Sequence, residues 1–208
     1  MIKKLKRIQV EERLKSLGLE VFTPKEFKGV FGVPTQIASV FISNNIDSGL
    51  FVKLRNGFYM LKDSNPDLFF IANRLYEPSY ISLETALSHY HIIPEVVYTI
   101  TSVTSKIPRE YKTPAGTFSY QRIKKEVYTG YSLQEIRGQK VFMADIEKAL
   151  ADYLYFVDLK KISLNDRLEL KNLNKAKLTR YVRLFKRKGM LELIDRIYVE
   201  YRKPRKIY

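Results

Sequence analysis

The stretch FVKLRNGFYML, residues 51–61, is the most informative part of the N-terminal sequence. Asn56-Gly57 favours a two-residue type I′ turn, because both central residues of that turn need a positive φ angle. The stretch therefore predicts a β-hairpin in which Arg55 lies opposite Phe58. A two-stranded ribbon is only marginally stable alone, so one of its faces should cover another part of the protein.

In this register the two faces of the predicted hairpin differ in chemistry. One face is wholly apolar and consists of Val52, Leu54, Tyr59 and Leu61. The other face carries Lys53 and Arg55 beside Phe58 and Met60. We expect the apolar face to pack on helices and the basic face to remain exposed.

Three helices are predicted ahead of the hairpin, in residues 2–17, in residues 24–31, and from Pro34 to a stop at Gly49. Thr23 suits the N-cap of the second helix, whose first residue is a proline. A helix, a short helix, a tight turn, a helix and a basic ribbon follow one another in a winged helix-turn-helix. We therefore predict a winged helix-turn-helix DNA-binding domain in residues 1–62.

Residues 63–67, DSNPD, are typical of a linker, and residues 68–208 are predicted to form a larger domain. Helices are expected at residues 68–76 and after Ser82. The runs VVYTITSVTS, GTFSYQRI and QKVFMA predict an antiparallel sheet of roughly three to five strands. Further helices are expected in DIEKALADYLYFV, in NKAKLTRYVRLFKRKG and in residues 190–200. The predicted fold class is α+β, a winged helix-turn-helix followed by a domain with an antiparallel sheet and several helices.

The segment DIEKALADYLYFV has the apolar spacing of an amphipathic helix. The stripe is expected to belong to the core, so that Leu150→Ala or Leu154→Ala would be costly. Asp145→Ala is expected to be nearly neutral. Glu147 borders the stripe and is expected to pair with a basic residue of another helix.

The net charge of +15 is unevenly distributed along the chain. Residues 1–62 carry +6, residues 63–158 carry −2, and residues 159–208 carry +11. Such basic ends favour a polyanionic partner, although a solvated, solubilising surface is the alternative. The chain has no cysteine and no apolar run of roughly 18 residues, and its charged N-terminus is unlike a signal peptide. We expect a cytoplasmic protein without a membrane partner.

The predicted third helix is the candidate recognition helix. Ile37, Val40 and Phe41 are expected to point inward. The candidate DNA-binding residues are Thr35, Gln36, Ser39 and Ser43 on the outer face of this helix, and Lys53, Arg55, Asn56 and Lys62 on and beside the hairpin. Gln can contact adenine through two hydrogen bonds in the major groove. The alternative is an ordinary polar face on a protein-binding winged helix.

A second basic surface is expected on the helix in NKAKLTRYVRLFKRKG. Its candidate residues are Lys177, Arg180, Arg183 and Arg187. They either contact nucleic acid, in which case binding would depend on salt, or form a solvated face or one that meets an acidic protein.

No catalytic residue, metal site or cofactor is predicted. Glu147 and Lys148 are adjacent and therefore about 100° apart on a helix, so they diverge from any common point. His89 and His91 have no evident cluster of further metal ligands. The phosphate-binding loop, dinucleotide-binding fingerprint and nucleophile elbow of common enzyme families are not found.

Several segments together resemble the AbiEi-type antitoxin and transcriptional-regulator family. They are the stretch from FTPKEF to the hairpin with Leu54, Gly57 and Tyr59, then YISLETALSHYHIIPE, GTFSYQRI and MADIEKALADYLYF, and they span residues 20–160. The resemblance implies an N-terminal winged helix that represses its own operon by binding duplex operator DNA. It also implies a C-terminal domain that counters a nucleotidyltransferase-like toxin, without implying direct contact. The chain departs from the family in having Met143-Ala144-Asp145-Ile146 before Glu147, where the family often has a proline.

These observations favour a DNA-binding transcriptional repressor and antitoxin that is not an enzyme. Two alternatives stay open. One is a nucleic-acid-binding enzyme, such as a nuclease with an unrecognised site, and the other is a protein–protein adaptor built on a winged helix.

Overall fold

Two β-sheets, each with its own set of helices, make up a mixed α+β fold in the computed structural model of the chain, which describes residues 5–201. The predicted helical residues 2–4, and residues 202–208 of the predicted second domain, lie outside this range. The mixed α+β class is thereby confirmed.

The N-terminal elements are α1 (Arg7–Ser16), β1 (Val21–Phe22), α2 (Pro24–Phe31), α3 (Thr35–Asp47), β2 (Phe51–Arg55) and β3 (Phe58–Leu61). The strands form an antiparallel sheet in the order β1-β3-β2. As predicted, Thr23 caps α2. Its hydroxyl accepts a hydrogen bond from the Glu26 backbone, and the Glu26 carboxylate accepts one from the Thr23 backbone. Such a reciprocal capping box satisfies two backbone donors at a helix start.

The β2–β3 hairpin forms around Asn56-Gly57, and Arg55 pairs with Phe58 as predicted. The predicted register also places Leu54 opposite Tyr59, and this part is wrong. A bulge at Leu54 shifts the pairing by one residue, so that Lys53 pairs with Tyr59 instead. A bulge bends a strand and redirects its side chains.

Because of the bulge, the hairpin has two buried faces instead of one. Phe51 and Leu61 belong to a first core, formed with α1, α2 and α3, against which Tyr59 also packs. Leu54 belongs to a second core, formed by the rest of the chain, and Phe58 packs against it.

The remaining elements are α4 (Leu68–Leu75), β4 (Ser79–Ile81), α5 (Leu83–His89), β5 (Thr99–Thr104), β6 (Arg109–Thr113), β7 (Gly116–Arg122), a 3-10 turn (Lys125–Val127), β8 (Tyr131–Ile136), β9 (Gln139–Ala144), α6 (Ile146–Asp158), α7 (Lys175–Leu184) and α8 (Lys188–Tyr201). Their sheet has six strands in the order β6-β7-β5-β4-β9-β8. The prediction of a smaller, antiparallel sheet is wrong, because β5 pairs with β7, and β4 with β9, in parallel. After β5 the chain forms the edge strand β6 and returns between the two as β7, which makes β5 and β7 parallel.

The α6 helix is the most deeply buried helix of the second core. Leu150 and Leu154 are fully buried, as the stripe predicted. Glu147 is also buried, and its Oε2 lies 2.9 Å from Lys177 Nζ of α7, which confirms the predicted pairing with another helix.

Asp145 has a larger structural role than its predicted neutrality allows. Its carboxylate caps α6 by accepting a hydrogen bond from the Lys148 backbone at 2.9 Å. It also accepts one from the Tyr181 hydroxyl at 2.6 Å and lies 3.1 Å from Lys177 Nζ. Loss of this side chain therefore removes a helix cap and a contact with α7.

We expect Leu150→Ala and Leu154→Ala each to lower the free energy of unfolding by about 2–5 kcal/mol, because each leaves a cavity in the second core. Asp145→Ala should cost about 1 kcal/mol through loss of the cap. Urea unfolding at neutral pH measures all three. Asp166→Ala, at an exposed position, is the control and should stay within about 0.5 kcal/mol of wild type. Unchanged unfolding of both leucine variants would contradict the assignment of the stripe to the core.

Candidate nucleic-acid interface

The outer face of α3 carries the predicted polar side chains. Thr35, Gln36, Ser39 and Ser43 are all exposed. The last three follow the i, i+3, i+7 spacing that places side chains on one side of a helix. The structure thus brings these predicted positions together on one accessible surface.

The inner face of α3 differs from the predicted one. Val40 is 57% exposed and lies among the polar residues of the outer face, so the prediction that it points inward is wrong. Ala38, Ile42 and Asn45 are buried instead. Asn45 is accommodated there because its side-chain amide donates a hydrogen bond to the Phe41 carbonyl at 2.8 Å.

Aromatic side chains of the first core hold α3 in place. The Phe27 ring of α2 stacks on Phe41 with 5.7 Å between centroids. Phe51 of β2 meets Phe41 and Phe22 edge-on, at 6.3 and 5.1 Å. Aromatic pairs at such distances add favourable energy beyond the buried area, so these rings help to hold α3 against the first core.

Two lysines and the turn of the hairpin carry the other exposed candidate residues. Lys53 on β2, Asn56 in the turn and Lys62 after β3 are exposed. The Lys62 side chain lies beside Gly49, just beyond the end of α3. Among residues 5–201, neither Lys53 nor Lys62 has a carboxylate within salt-bridge distance, so both ammonium groups are available to an anion.

Arg55 points away from this surface. Its Nε and Nη2 donate hydrogen bonds to the Leu75 carbonyl at the end of α4, at 3.0 and 2.6 Å. Its guanidinium also lies 3.8 Å from the centroid of the Phe58 ring and 5.0 Å from that of Tyr111. The structure therefore separates Arg55 from the other predicted DNA-binding residues and places it between the two groups of elements.

An ion pair lies near Arg55 at the same junction. Arg74 of α4 donates to the Glu26 carboxylate, which also closes the capping box of α2, and to Glu77 at 3.1 Å. Burial alone would raise the pKa of Glu26, but hydrogen bonds from Thr23 and the charge of Arg74 lower it. The helix that precedes α3 is thus tied electrostatically to the second group of elements.

The predicted second basic surface is only partly available. Lys177 is paired with Asp145 and Glu147, and its hydrogen bond to Glu147 raises its pKa. Arg187 is paired with Asp158. Arg180 and Arg183 are exposed on α7 and remain candidates for an external contact. These two arginines keep both predicted alternatives open.

Within the part of the chain that the structure describes, no group of three or more histidine, aspartate or glutamate side chains could hold a metal ion. In the same residues, no helix has both the length and the apolar character needed to cross a membrane.

No protein-family model matches the chain, and no curated protein gives a significant match. The function must therefore be inferred from the site itself. Sequence reasoning missed the exposure of Val40 and the structural role of Arg55. It also missed the Glu26–Arg74 pair, although the spacing of Thr23 and Glu26 matches a capping box.

Arg55→Ala should lower the free energy of unfolding by about 2 kcal/mol, because two hydrogen bonds from a charged donor are lost at the junction. Lys53→Ala, on the same strand, is the matched control. It should change stability by less than about 0.5 kcal/mol, since its side chain is exposed. Denaturant unfolding of both variants gives the comparison, and equal stability of the two would mean that Arg55 does not hold the junction.

Glu26→Gln should destabilise the protein at neutral pH, because the amide can accept from Thr23 but carries no charge for Arg74. A carboxyl whose pKa is lowered by folding adds stability above its unfolded pKa and loses it as the pH falls. The difference in stability between wild type and Glu26→Gln should therefore shrink as the pH falls below 4.5, the ordinary pKa of a glutamate. Thermal unfolding from neutral to acidic pH measures it, with exposed Glu12→Gln as control. A difference that is independent of pH would contradict an ionic role for Glu26.

Proposed function

We propose that the chain is a DNA-binding transcriptional repressor whose residues 1–62 form a winged helix-turn-helix. The order α1-β1-α2-α3-β2-β3 and the antiparallel sheet β1-β3-β2 support the winged-helix part of this proposal. The observation that carries the function is the exposed polar face of α3. Lys53 and Lys62, which have no carboxylate partner among the described residues, lie on and after the adjoining hairpin. Duplex DNA supplies both base edges and phosphates to such a surface.

In this proposal the residues have separate roles. Gln36, Ser39 and Ser43 face base edges in the major groove, where Gln can make a bidentate contact with adenine. Val40, between them, offers an apolar contact to a thymine methyl group. Lys53 and Lys62 neutralise phosphates, which adds affinity without sequence information. Arg55 acts only by supporting the hairpin.

The antitoxin role rests on the resemblance to the AbiEi-type family. In the proposal, residues 68–208 form the regulatory domain, the repressor acts on its own operator in the cytoplasm, and it opposes a nucleotidyltransferase-like toxin without a requirement for direct contact. A coding sequence for such a toxin directly beside this one would support that role. Arg180 and Arg183 then provide a second surface for nucleic acid or for an acidic partner.

Footprinting of the purified protein on its own upstream DNA tests the proposal. A protected site whose binding weakens steeply with salt is the expected result. Absence of any DNA binding would favour the protein–protein adaptor. Divalent-metal-dependent cleavage of the DNA would favour the nuclease.

Gln36→Ala should weaken binding to the protected site by about 1–3 kcal/mol and leave binding to scrambled duplex nearly unchanged. The reason is that a base-edge contact exists only on the matching sequence. Titrations on both duplexes measure it, and Gln9→Ala, an exposed glutamine on α1, is the matched control. Equal losses on both duplexes would show that α3 does not recognise sequence.

The double variant Lys53→Ala/Lys62→Ala separates phosphate contacts from base contacts. It should weaken both duplexes alike and reduce the salt slope by about two, since each lost phosphate contact removes roughly one unit. Lys124→Ala/Lys125→Ala removes the same charge from two exposed positions at the start of the 3-10 turn and should leave the slope unchanged. Identical slopes in the two double variants would mean that only total charge matters.

A further inference from the structure

A pocket of about 310 Å³ opens beside the six-stranded sheet, where α4 meets β4 and β9. The two strands are paired only at Ile81 and Met143. Ahead of that pair, the Phe142 backbone of β9 donates a hydrogen bond to Oδ1 of Asn73 in α4 at 2.6 Å. The Asn73 side chain thus accepts the hydrogen bond that a neighbouring strand would otherwise accept. The volume is at the small end of ligand pockets, which span roughly 300–1,000 Å³.

Aromatic rings form much of the wall of this pocket. Phe70, Tyr128, Tyr131 and Phe142 line it. Tyr131 is held in place because it stacks on buried Tyr80, with 4.5 Å between centroids and 14° between ring planes. Burial and the neighbouring Tyr131 raise the pKa of Tyr128, so this phenol stays protonated and uncharged. Such a wall offers π-faces to a flat ring.

Two polar side chains in the same wall have unused hydrogen-bonding capacity. Asn73 and Ser79 line the pocket, and both are more than nine-tenths buried. Neither the Asn73 Nδ2 nor the Ser79 Oγ has a hydrogen-bond partner among the described residues. Buried polar groups are normally paired. Both atoms are almost fully covered, so a ligand that brings a hydrogen-bond acceptor reaches them when the Asn73 amide or the Ser79 hydroxyl turns toward the pocket.

The charges around the pocket favour a neutral ligand. Arg74 is already bound by two carboxylates, those of Glu26 and Glu77. Lys140 is exposed at the rim. One basic group is not enough to bind several phosphates of a nucleic-acid backbone. The pocket therefore suits a free small molecule better than a strand of nucleic acid.

We propose that this pocket binds a neutral, planar heteroaromatic molecule the size of a nucleobase. Its ring lies against the aromatic wall, and a ring nitrogen or carbonyl accepts a hydrogen bond from the Asn73 amide. Ser79 supplies a second polar contact. This combination of stacking and edge contacts is the one by which proteins hold single bases.

The test is saturation-transfer NMR and calorimetry on the full chain without DNA, so its result does not depend on the proposed repressor function. The probes are adenine, cytosine and uracil, with cyclohexanol as a non-aromatic probe and benzoate as an anionic one. At least one base should bind more tightly than both comparison probes. Binding of none of the bases, or equal or tighter binding of cyclohexanol or benzoate, would overturn the proposal.

Variants locate the binding in this pocket. Asn73→Asp keeps an oxygen for the Phe142 backbone and removes the free donor, and it should weaken the bound base about tenfold. Phe142→Ala should also weaken it, at a position that is 44% exposed and so tolerates truncation. Ser79→Ala removes only an unpaired hydroxyl, which keeps the test interpretable if Asn73→Asp fails to fold. Tyr98→Ala, at an 88% exposed tyrosine elsewhere, is the control. Unchanged binding in both Phe142→Ala and Ser79→Ala would place the ligand elsewhere and overturn the proposal.

Discussion

The β2–β3 hairpin contributes side chains to two hydrophobic cores at once, and the arrangement of the N-terminal elements depends on this constraint. Phe51 and Leu61 complete the core under α3, while Leu54, placed by the bulge, enters the core of the six-stranded sheet. A ribbon with two buried faces cannot rotate without exposing one of them. The Arg55 hydrogen bonds and the Glu26–Arg74 pair fix the edges of the same junction. Apolar burial and these polar contacts both stabilise the junction, and the polar contacts, because they are directional, also set its orientation.

This constraint also decides which charges are available to a partner. The N-terminal 62 residues carry a net charge of +6, but Arg55 is used at the junction. Lys53 and Lys62 remain exposed on the hairpin and beyond it. Next to an exposed α3, such cations would supply long-range attraction for encounter, and base contacts would supply specificity. For this reason the proposed repressor should show a clear difference between matching and scrambled DNA.

Local signals in the sequence were enough to predict the helices and the hairpin turn. Thr23 and Pro24 mark the start of α2, and the apolar stripe of α6 has the helical period, so these elements follow from short-range physics. The register of the hairpin could not be predicted, because the bulge at Leu54 is favoured by a core that is remote in sequence. The short strand β4 and the charged edge strand β6 also lack the alternation that marks a strand. On α3 the polar outer residues were identified correctly, but Val40 was misplaced, since an apolar residue on an exposed face carries no local signal.

The segment DIEKALAD contains acids and a lysine that resemble catalytic groups, but two of these groups are fully buried and occupied with one another. Lys148 and Asp152 are fully buried and pair with one another along α6. Asp152 also accepts hydrogen bonds from the Tyr80 and Ser82 hydroxyls, both at 2.9 Å. Burial raises the pKa of Asp152, while Lys148 and the two hydroxyls oppose that change. A buried ion pair adds little net stability, but removal of one partner is costly. The effect of this pair is to hold the Tyr80 side chain, which comes from β4, against α6. Because Tyr131 stacks on Tyr80, this buried network also orients the aromatic wall of the pocket beside α4.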